Sequence, residues 1–317
     1  MTDSKEWSLS LLNQTIFHGD LFWFILKYID RDAKTISAFQ QTCRSNRYWR
    51  SRDLEVLKDK WWKWILCMNE KNVGKVAVEK MKHGNGYDGS LCLNFHQLNA
   101  TACYYLAPAL KNMTALTVLN LCENQLDATA CYYLAPALKN MTALTVLNLC
   151  ENQLDATACY HLAPALKNMK ILRELDLYLN RIDATACYHL APALKNMTAL
   201  KYIYLQSNKI DATACYYLAP ALGNLIALKS LDMDHNQIDA TACYHLVSIL
   251  PNMSALKTLN FDNNYIDVHG CEVLLSALVR MSGLQDLYLW NNPIDVNYKR
   301  IMRSFLKKNA KRVDLHI

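Results

Sequence analysis

Cysteine is the residue type of this chain with the clearest potential for chemistry, because twelve cysteines occur and seven recur at an interval of 28 residues. Clustered cysteines can hold a metal, form disulfides or act as nucleophiles. A fixed interval indicates instead one position of a repeated unit, and helices about 10 Å apart exceed the roughly 7 Å Cα separation that a disulfide tolerates. We therefore predict small buried thiols at Cys103, Cys131, Cys159, Cys187, Cys215, Cys243 and Cys271.

Two other cysteines, Cys122 and Cys150, fall at an outward position of two neighbouring strands, where the strands lie about 5 Å apart. Such a pair could bind a metal or oxidise. The units that carry them are near duplicates, since residues 98–125 and 126–153 differ only at Asn99 and Asp127. Copying explains the coincidence without any function, and we predict no metal and no cofactor.

Motifs of common enzyme classes are absent from the sequence. It has no G-x-x-x-x-G-K-[ST] phosphate loop, no G-x-S-x-G, no H-E-x-x-H and no C-x-x-C. Three histidines, His161, His189 and His245, share a position that tyrosine fills in other units, which indicates packing or surface cover. We expect that the protein is not an enzyme. A pocket that gathers His, Cys and carboxylate side chains would favour an enzyme instead.

A 28-residue unit accounts for most of the chain, with seven full units from Leu98 and a truncated eighth from Ile294. Within a unit, Leu144, Leu147, Leu149 and Asn152 read as L-x-x-L-x-L-x-x-N around a short strand. The remaining half has apolar residues at helical spacing: Cys131, Leu134, Leu138 and Met141. Neither element can bury its apolar face alone, so neighbouring units must stack.

This pattern resembles the leucine-rich repeat in its long, ribonuclease-inhibitor-like form. The resemblance implies an α/β solenoid over residues 91–317, a horseshoe with parallel strands on the concave face and helices on the convex face. One departure concerns the prolines inside the helical run: Pro108, Pro136, Pro164, Pro192 and Pro220. Because an interior proline removes a backbone hydrogen bond, we predict that these helices kink there or begin at the proline.

Strand positions that face away from the core change character along the array. In the first two units these residues are uncharged and not aromatic, with Val146, Asn148 and Cys150 as examples. In later units they become acidic and aromatic. Clustered carboxylates and rigid aromatic rings favour a basic protein partner and repel nucleic acid. We predict a target-binding surface at Asp176, Tyr178, Tyr202, Tyr204, Asp232, Asp234, Asp262, Asp286, Tyr288 and Trp290. Solvated strand positions are the alternative.

The segment before the repeats differs in composition and predicts a helical domain over residues 9–52. Its run from Phe17 to Asp30, followed by Thr42-Cys43-Arg44 and Tyr48-Trp49, resembles an F-box. The resemblance implies docking on the adaptor subunit of an SCF-type cullin-RING ubiquitin ligase, with the repeats capturing the target. The adaptor-binding residues would then be Phe17, Asp20, Leu21, Ile25, Ile29, Ile36 and Cys43.

Residues 53–90 are predicted to form a helical linker and an N-terminal cap of the solenoid. A second interpretation treats the whole N-terminal segment as such a cap, on a leucine-rich-repeat scaffold or inhibitor with no ligase role. Basic residues near the C-terminus, among them Arg303 and Arg312, are interpreted as a solvated helix face and a C-terminal cap.

Charge and hydropathy indicate an intracellular protein. The formal net charge is only +6, which does not indicate nucleic-acid binding unless the charges cluster. Acidic residues near Met1 do not fit a signal peptide, and no run approaches the roughly 18 apolar residues of a membrane span. We expect a cytoplasmic or nuclear location, or the host cytosol if the source is an intracellular bacterium or a virus, and no membrane contact.

Overall fold

The computed structural model describes residues 89–94, 98–111, 113–310 and 312–317. The predicted F-box-like domain, residues 9–52, and nearly all of the predicted linker, residues 53–90, lie outside the described residues. So do all seven predicted adaptor-binding residues: Phe17, Asp20, Leu21, Ile25, Ile29, Ile36 and Cys43.

Nine short strands within the described residues form one parallel sheet in chain order. They are β1 (Ser90–Cys92), β2 (Val118–Asn120), β3 (Val146–Asn148), β4 (Glu174–Asp176), β5 (Tyr202–Tyr204), β6 (Ser230–Asp232), β7 (Thr258–Asn260), β8 (Asp286–Tyr288) and β9 (Asp314–His316). Each residue pairs with the residue 28 positions away, as Leu119 does with Leu147. The described part of the chain is therefore a leucine-rich-repeat α/β solenoid, as the sequence predicts.

A helix follows each of the first eight strands. The helices are α1 (Ala100–Leu110), α2 (Ala128–Leu138), α3 (Ala156–Leu166), α4 (Ala184–Leu194), α5 (Ala212–Leu222), α6 (Ala240–Val247), α7 (Val268–Leu278) and α8 (Val296–Asn309). Their starts are set by capping: Asp127 Oδ1 accepts from the Ala130 N–H at 2.8 Å, and Asn99 does the same for Ala102 at 3.0 Å. Asp and Asn cap about equally well, so the single difference between the duplicated units is neutral for the fold.

The core lies between the sheet and the helices and repeats with the units. Leu147 from β3 and Leu134 and Leu138 from α2 are buried. The seven cysteines at the 28-residue interval are buried free thiols, as predicted. Burial, followed by the charge of a nearby capping aspartate, raises the pKa of both Cys103 and Cys271 to about 12. These thiols therefore stay protonated and pack as small apolar groups.

Buried asparagines join each unit to its neighbours. Asn208 Nδ2 lies 2.9, 3.1 and 3.2 Å from the carbonyl oxygens of Leu177, Leu205 and Gln206, and its Oδ1 accepts from the Ile182 N–H at 3.0 Å. The same arrangement recurs at Asn152 and Asn264. The asparagine ladder satisfies backbone groups that the sheet leaves buried at its edge.

The prolines do not start the helices, so that half of the prediction was wrong. Helix α2 begins at Ala128, eight positions before Pro136, and continues to Leu138. The residue four positions before Pro136 is Tyr132, which lies on the exposed side of the helix. Its carbonyl receives no hydrogen bond from Pro136, because proline has no N–H.

The C-terminal end of the solenoid is closed by α8 and β9. The Arg312 guanidinium donates to the carbonyls of Met281 and Leu278, and Arg303 donates to the Ile317 carbonyl at 2.9 Å. These two cations of the basic C-terminal run thus act in the cap. Among the described residues, no helix has the length and apolar character needed to cross a membrane.

Candidate functional site

The concave face presents three columns of side chains, each with one residue per unit. The first column is Val118, Val146, Glu174, Tyr202, Ser230, Thr258 and Asp286. The second column is Asn120, Asn148, Asp176, Tyr204, Asp232, Asn260 and Tyr288. The third column follows two residues later and contains Cys122, Cys150, Tyr178, Gln206, Asp234, Asp262 and Trp290. All ten predicted target-binding residues lie in these columns.

The asparagine and aspartate side chains of the second column have a structural task at the ends of their strands. Asn148 Oδ1 accepts from the N–H two residues later at 2.8 Å, and Asn260 does so at 3.0 Å. Asp176 and Asp232 make the same bond at 3.0 and 3.1 Å. Since a neutral asparagine performs this task elsewhere, the negative charge of Asp176 and Asp232 is not needed for the turn.

The carboxylates of the second column are crowded. Asp176 and Asp232 pair in register with Tyr204 from either side. Burial raises the pKa of Asp176, and the charges of Glu174 and Glu151 raise it further, against the lowering effect of the Tyr178 N–H. Burial also raises the pKa of Asp232, with Asp234 and Asp176 as repelling neighbours. The phenol of Tyr204 has a raised pKa from burial and from the surrounding carboxylates.

The third column carries further acidic and aromatic groups. Asp234 Oδ1 accepts from Asn263 Nδ2 at 2.9 Å and lies 2.8 Å from His235 Nδ1. Asp262 Oδ1 accepts from the backbone N–H of Trp290 at 2.6 Å. Burial and the charges of Asp234 and Asp232 raise the Asp262 pKa, although the Trp290 N–H and His316 lower it. The Trp290 indole is half exposed.

A histidine absent from the predicted set completes the C-terminal end of this face. His316 of β9 stacks on Tyr288 with ring centroids 4.2 Å apart and an interplanar angle of 9°. Its Nε2 lies 3.3 Å from Asp286 Oδ1. The signal in the sequence was the spacing, because His316 lies 28 residues after Tyr288.

At the other end of the concave face, the first two full units differ in chemistry. Cys122 and Cys150 are joined by a disulfide, with their Cα atoms 4.6 Å apart. Of the two possibilities that the sequence left open, oxidation and metal binding, the structure contains the oxidised form. The acidic and aromatic character therefore starts only at β4, where Glu174 and Asp176 appear.

The convex face carries an aromatic ladder that sequence reasoning identified only in part. It consists of Tyr104, Tyr132, Tyr133, Tyr160, His161, Tyr188, His189, Tyr216, Tyr217, Tyr244 and His245. His189, for example, meets Tyr160 and Tyr188 edge to face, each with centroids 5.3 Å apart. The histidines thus contribute to packing, as predicted. The exposed tyrosine that precedes each of them was missed, although a Tyr-Tyr or Tyr-His dipeptide marks each of the first six full units.

No protein-family model and no curated protein sequence matches this chain. Among solved structures, it is similar to internalin C2 of Listeria monocytogenes, with 21% identity over 63% of this chain and 80% of that chain and a TM-score of 0.41. It is also similar to an internalin, inlF, of the same organism, with 20% identity, coverage of 66% and 69%, and a TM-score of 0.33. The fold assignment stands on the units, sheet register and asparagine ladder of the chain itself.

Proposed function

We propose that the repeats bind a basic segment of another protein on the acidic and aromatic part of the concave face, from β4 to β8. The observation that supports this most strongly is the crowding of carboxylates whose charge the fold does not require. Asp176 and Asp232 replace asparagines that make the same backbone bond, yet they repel neighbouring carboxylates. A cationic ligand would relieve that repulsion.

Arginine side chains fit this surface better than lysine alone. A guanidinium can pair with a carboxylate through two parallel hydrogen bonds and can stack on an aromatic ring at the same time. Tyr202, Tyr204 and Trp290 supply rings beside Asp176, Asp232 and Asp262. In this proposal the chain acts by binding alone, without a catalytic step, and nucleic acid is excluded by the like charge.

A defined peptide tests the concave face directly. We expect the double variant Asp232→Lys with Asp262→Lys to bind a fluorescent arginine-rich peptide at least about tenfold more weakly, equivalent to about 1.4 kcal/mol. Fluorescence anisotropy at two salt concentrations measures the affinity. Asp232→Asn should have a smaller effect, because it removes the charge while keeping a side-chain oxygen that accepts from the Asp234 N–H.

Glu272→Lys is the matched control for single substitutions such as Asp262→Lys. It makes the same change in charge on the exposed side of α7. If Asp262→Lys and Glu272→Lys weaken the peptide equally, only overall charge matters and the concave site is wrong. If neither has an effect, binding belongs to the helices or loops.

We further propose that the chain is the substrate-recognition subunit of an SCF-type ubiquitin ligase in the cytoplasm or nucleus. The support is the F-box-like run Phe17 to Asp30, which lies outside the described residues. A double Leu21→Asp, Ile25→Asp variant should lose copurification with the adaptor subunit while its repeats keep the far-UV circular dichroism of the wild type. Equal adaptor recovery with both proteins would eliminate this role.

A scaffold or inhibitor with no ligase role is the alternative, with the N-terminal segment only capping the solenoid. Deleting residues 1–52 separates the two. Loss of a cap should lower the melting temperature of the repeats, because it exposes their core. Loss of a docking domain should leave that temperature nearly unchanged and abolish adaptor binding.

A further inference from the structure

A second chemical site lies at the N-terminal end of the concave face, outside the proposed target surface. Cys122, Cys150 and Glu151 each place one potential ligand atom within 4.8 Å of the other two. Both cysteines are buried, with 9% and 6% of their surface exposed, and Glu151 is half-buried. The cluster is therefore partly shielded from water but open on the carboxylate side.

The backbone holds these three residues in place. The N–H groups of Cys122 and Cys150 donate to Asn120 and Asn148 at 2.9 and 2.8 Å. The Glu151 N–H donates to the Tyr178 carbonyl at 2.8 Å. Hydrogen bonds of this kind make the donor set part of the sheet edge, where its geometry is inherited from the repeat.

Duplication of a unit is the route to this donor set. In later units, the residues at the Cys150 and Glu151 positions are Tyr178 and Leu179, or Gln206 and Ser207. One thiol in one unit could not chelate a metal. Two adjacent copies bring two thiols and the Glu151 carboxylate together, because the strands lie one sheet spacing apart.

The charge of the cluster favours a cation over a free dithiol. Glu123 and Glu151 directly follow Cys122 and Cys150 in the sequence, so carboxylates accompany the two sulfur atoms. Ionising the two thiols would add further negative charge beside these carboxylates. A bound divalent ion reverses that balance, because it stabilises thiolates and carboxylates together.

We propose that Cys122, Cys150 and Glu151 form a binding site for a thiophilic divalent cation of the zinc class, present when the cysteine pair is reduced. Two thiolates and one carboxylate are three of the four ligands of a tetrahedral zinc site, in which the fourth position can hold water. Reduction frees both sulfur atoms to separate around a shared ion, at metal–sulfur distances of about 2.3 Å.

The chemistry balances with a small thiol as the reductant. Two molecules of a glutathione-class thiol reduce the Cys122–Cys150 disulfide to two cysteine thiols and become one small-molecule disulfide. Binding of the cation then releases one proton from each cysteine to solvent, and the metal does not change oxidation state. The disulfide form has no thiolate to offer, so oxidation and metal binding exclude each other.

Cadmium titration of the whole chain tests the site. The protein is reduced, freed of reductant without oxygen, and titrated with Cd²⁺ while the ultraviolet absorption of thiolate-to-cadmium charge transfer is recorded. We expect the reduced wild type to bind one Cd²⁺ more than the Cys122→Ser, Cys150→Ser variant. Reoxidation of the wild type should abolish binding of the same Cd²⁺ ion, which gives a control without any substitution. Zn²⁺ should compete with Cd²⁺ for this site.

Two further variants sharpen the outcome. Cys92→Ser removes an exposed cysteine of β1 and should leave the titration unchanged. Glu151→Gln should weaken Cd²⁺ at least about tenfold, by analogy with the loss of supporting groups at metal sites. Equal Cd²⁺ uptake by the wild type and the double serine variant would overturn the proposal. Unchanged Cd²⁺ affinity in Glu151→Gln would show that Glu151 is not a ligand.

Discussion

Two sets of positions within each unit behave in opposite ways. The buried leucines, the ladder asparagines and the capping aspartates are nearly identical from unit to unit, as Asn152, Asn208 and Asn264 show. The concave columns change from Asn148 to Asp176 to Tyr204 across three consecutive strands. A position that contacts the neighbouring units must match them, whereas a position that contacts only solvent or a partner can vary. Repetition therefore marks the scaffold, and variation marks recognition.

Replacing a buried ladder asparagine should produce the largest loss of stability among the substitutions considered. Asn208→Ala leaves the Ile182 N–H without its hydrogen-bond partner. It also removes one of two asparagine donors from the Leu177 and Leu205 carbonyls, which keep Asn180 and Asn236. One unsatisfied buried N–H costs about 1–3 kcal/mol and each ordinary hydrogen bond contributes about 0.5–1.5 kcal/mol, so we expect a total loss of roughly 2–4 kcal/mol in the free energy of unfolding. Chemical denaturation followed by circular dichroism measures it.

Asn224→Ala is the matched control for this experiment. Asn224 is exposed, and its side chain donates to the Pro220 carbonyl at 2.9 Å. Its loss should change stability by about 0.5 kcal/mol or less, as for most surface substitutions. Similar denaturation midpoints for the two variants would show that the buried ladder does not hold neighbouring units together.

The convex ladder offers a test of intermediate size, because it repeats yet is exposed. Tyr188 meets His189 and Tyr217 with centroids 5.3 and 5.2 Å apart. Tyr244, at the end of the ladder, meets His245 at 6.1 Å. Since each such pair contributes about 0.5–1.5 kcal/mol, Tyr188→Ala should destabilise the protein more than Tyr244→Ala by about that amount.

Denaturation of both tyrosine variants under identical conditions gives the difference. Each substitution replaces tyrosine by alanine at the same position of a helix, so the change in helix propensity cancels. Equal losses would assign the repetition of these rings to copying alone, and would weaken the rule that repeated positions serve packing.

Periodicity made the fold predictable, because one strong pattern appears in every unit. The strand at Leu147, the helix face of Cys131 and the buried thiols follow from spacing alone. The alternative that the helices begin at the prolines was wrong, since helix α2 starts at Ala128 and contains Pro136. The kink at these prolines stays a prediction. The N-terminal domain and its adaptor residues stay predictions, because they lie outside the described residues.

The candidate site was predictable in position but not in chemistry. Outward strand positions are identifiable by alternation, so Asp176, Tyr204 and Asp232 could be placed on one face. The hydrogen bonds of Asp176 and Asp232 to the backbone two residues later could not be predicted, because asparagine and aspartate look alike in a pattern of apolar residues. His316 was missed since the unit that carries it is truncated, which hides the register that stacks it on Tyr288.

The smallest expected effect concerns pH and tests whether the variable columns oppose stability. Burial and neighbouring carboxylates raise the folded-state pKa of Asp176, Asp232 and Asp262 above the ordinary value. The folded protein then binds more protons than the unfolded chain between the two pKa values, so stability falls as pH rises through that window. Above it, each ionised carboxylate lowers the free energy of unfolding.

Asp232→Asn should therefore gain stability relative to the wild type as the pH rises from below the ordinary aspartate pKa of about 3.9 to neutrality. The asparagine keeps an acceptor for the Asp234 N–H, so the turn itself is conserved. Denaturation at both pH values measures the difference, and 1 M salt, with a screening length of about 3 Å, should reduce the gain at neutral pH. A gain independent of pH would assign the effect to packing. The arginine-rich peptide should produce a similar gain in stability in the wild type. That result would show that the ligand relieves the carboxylate repulsion that destabilises the concave face.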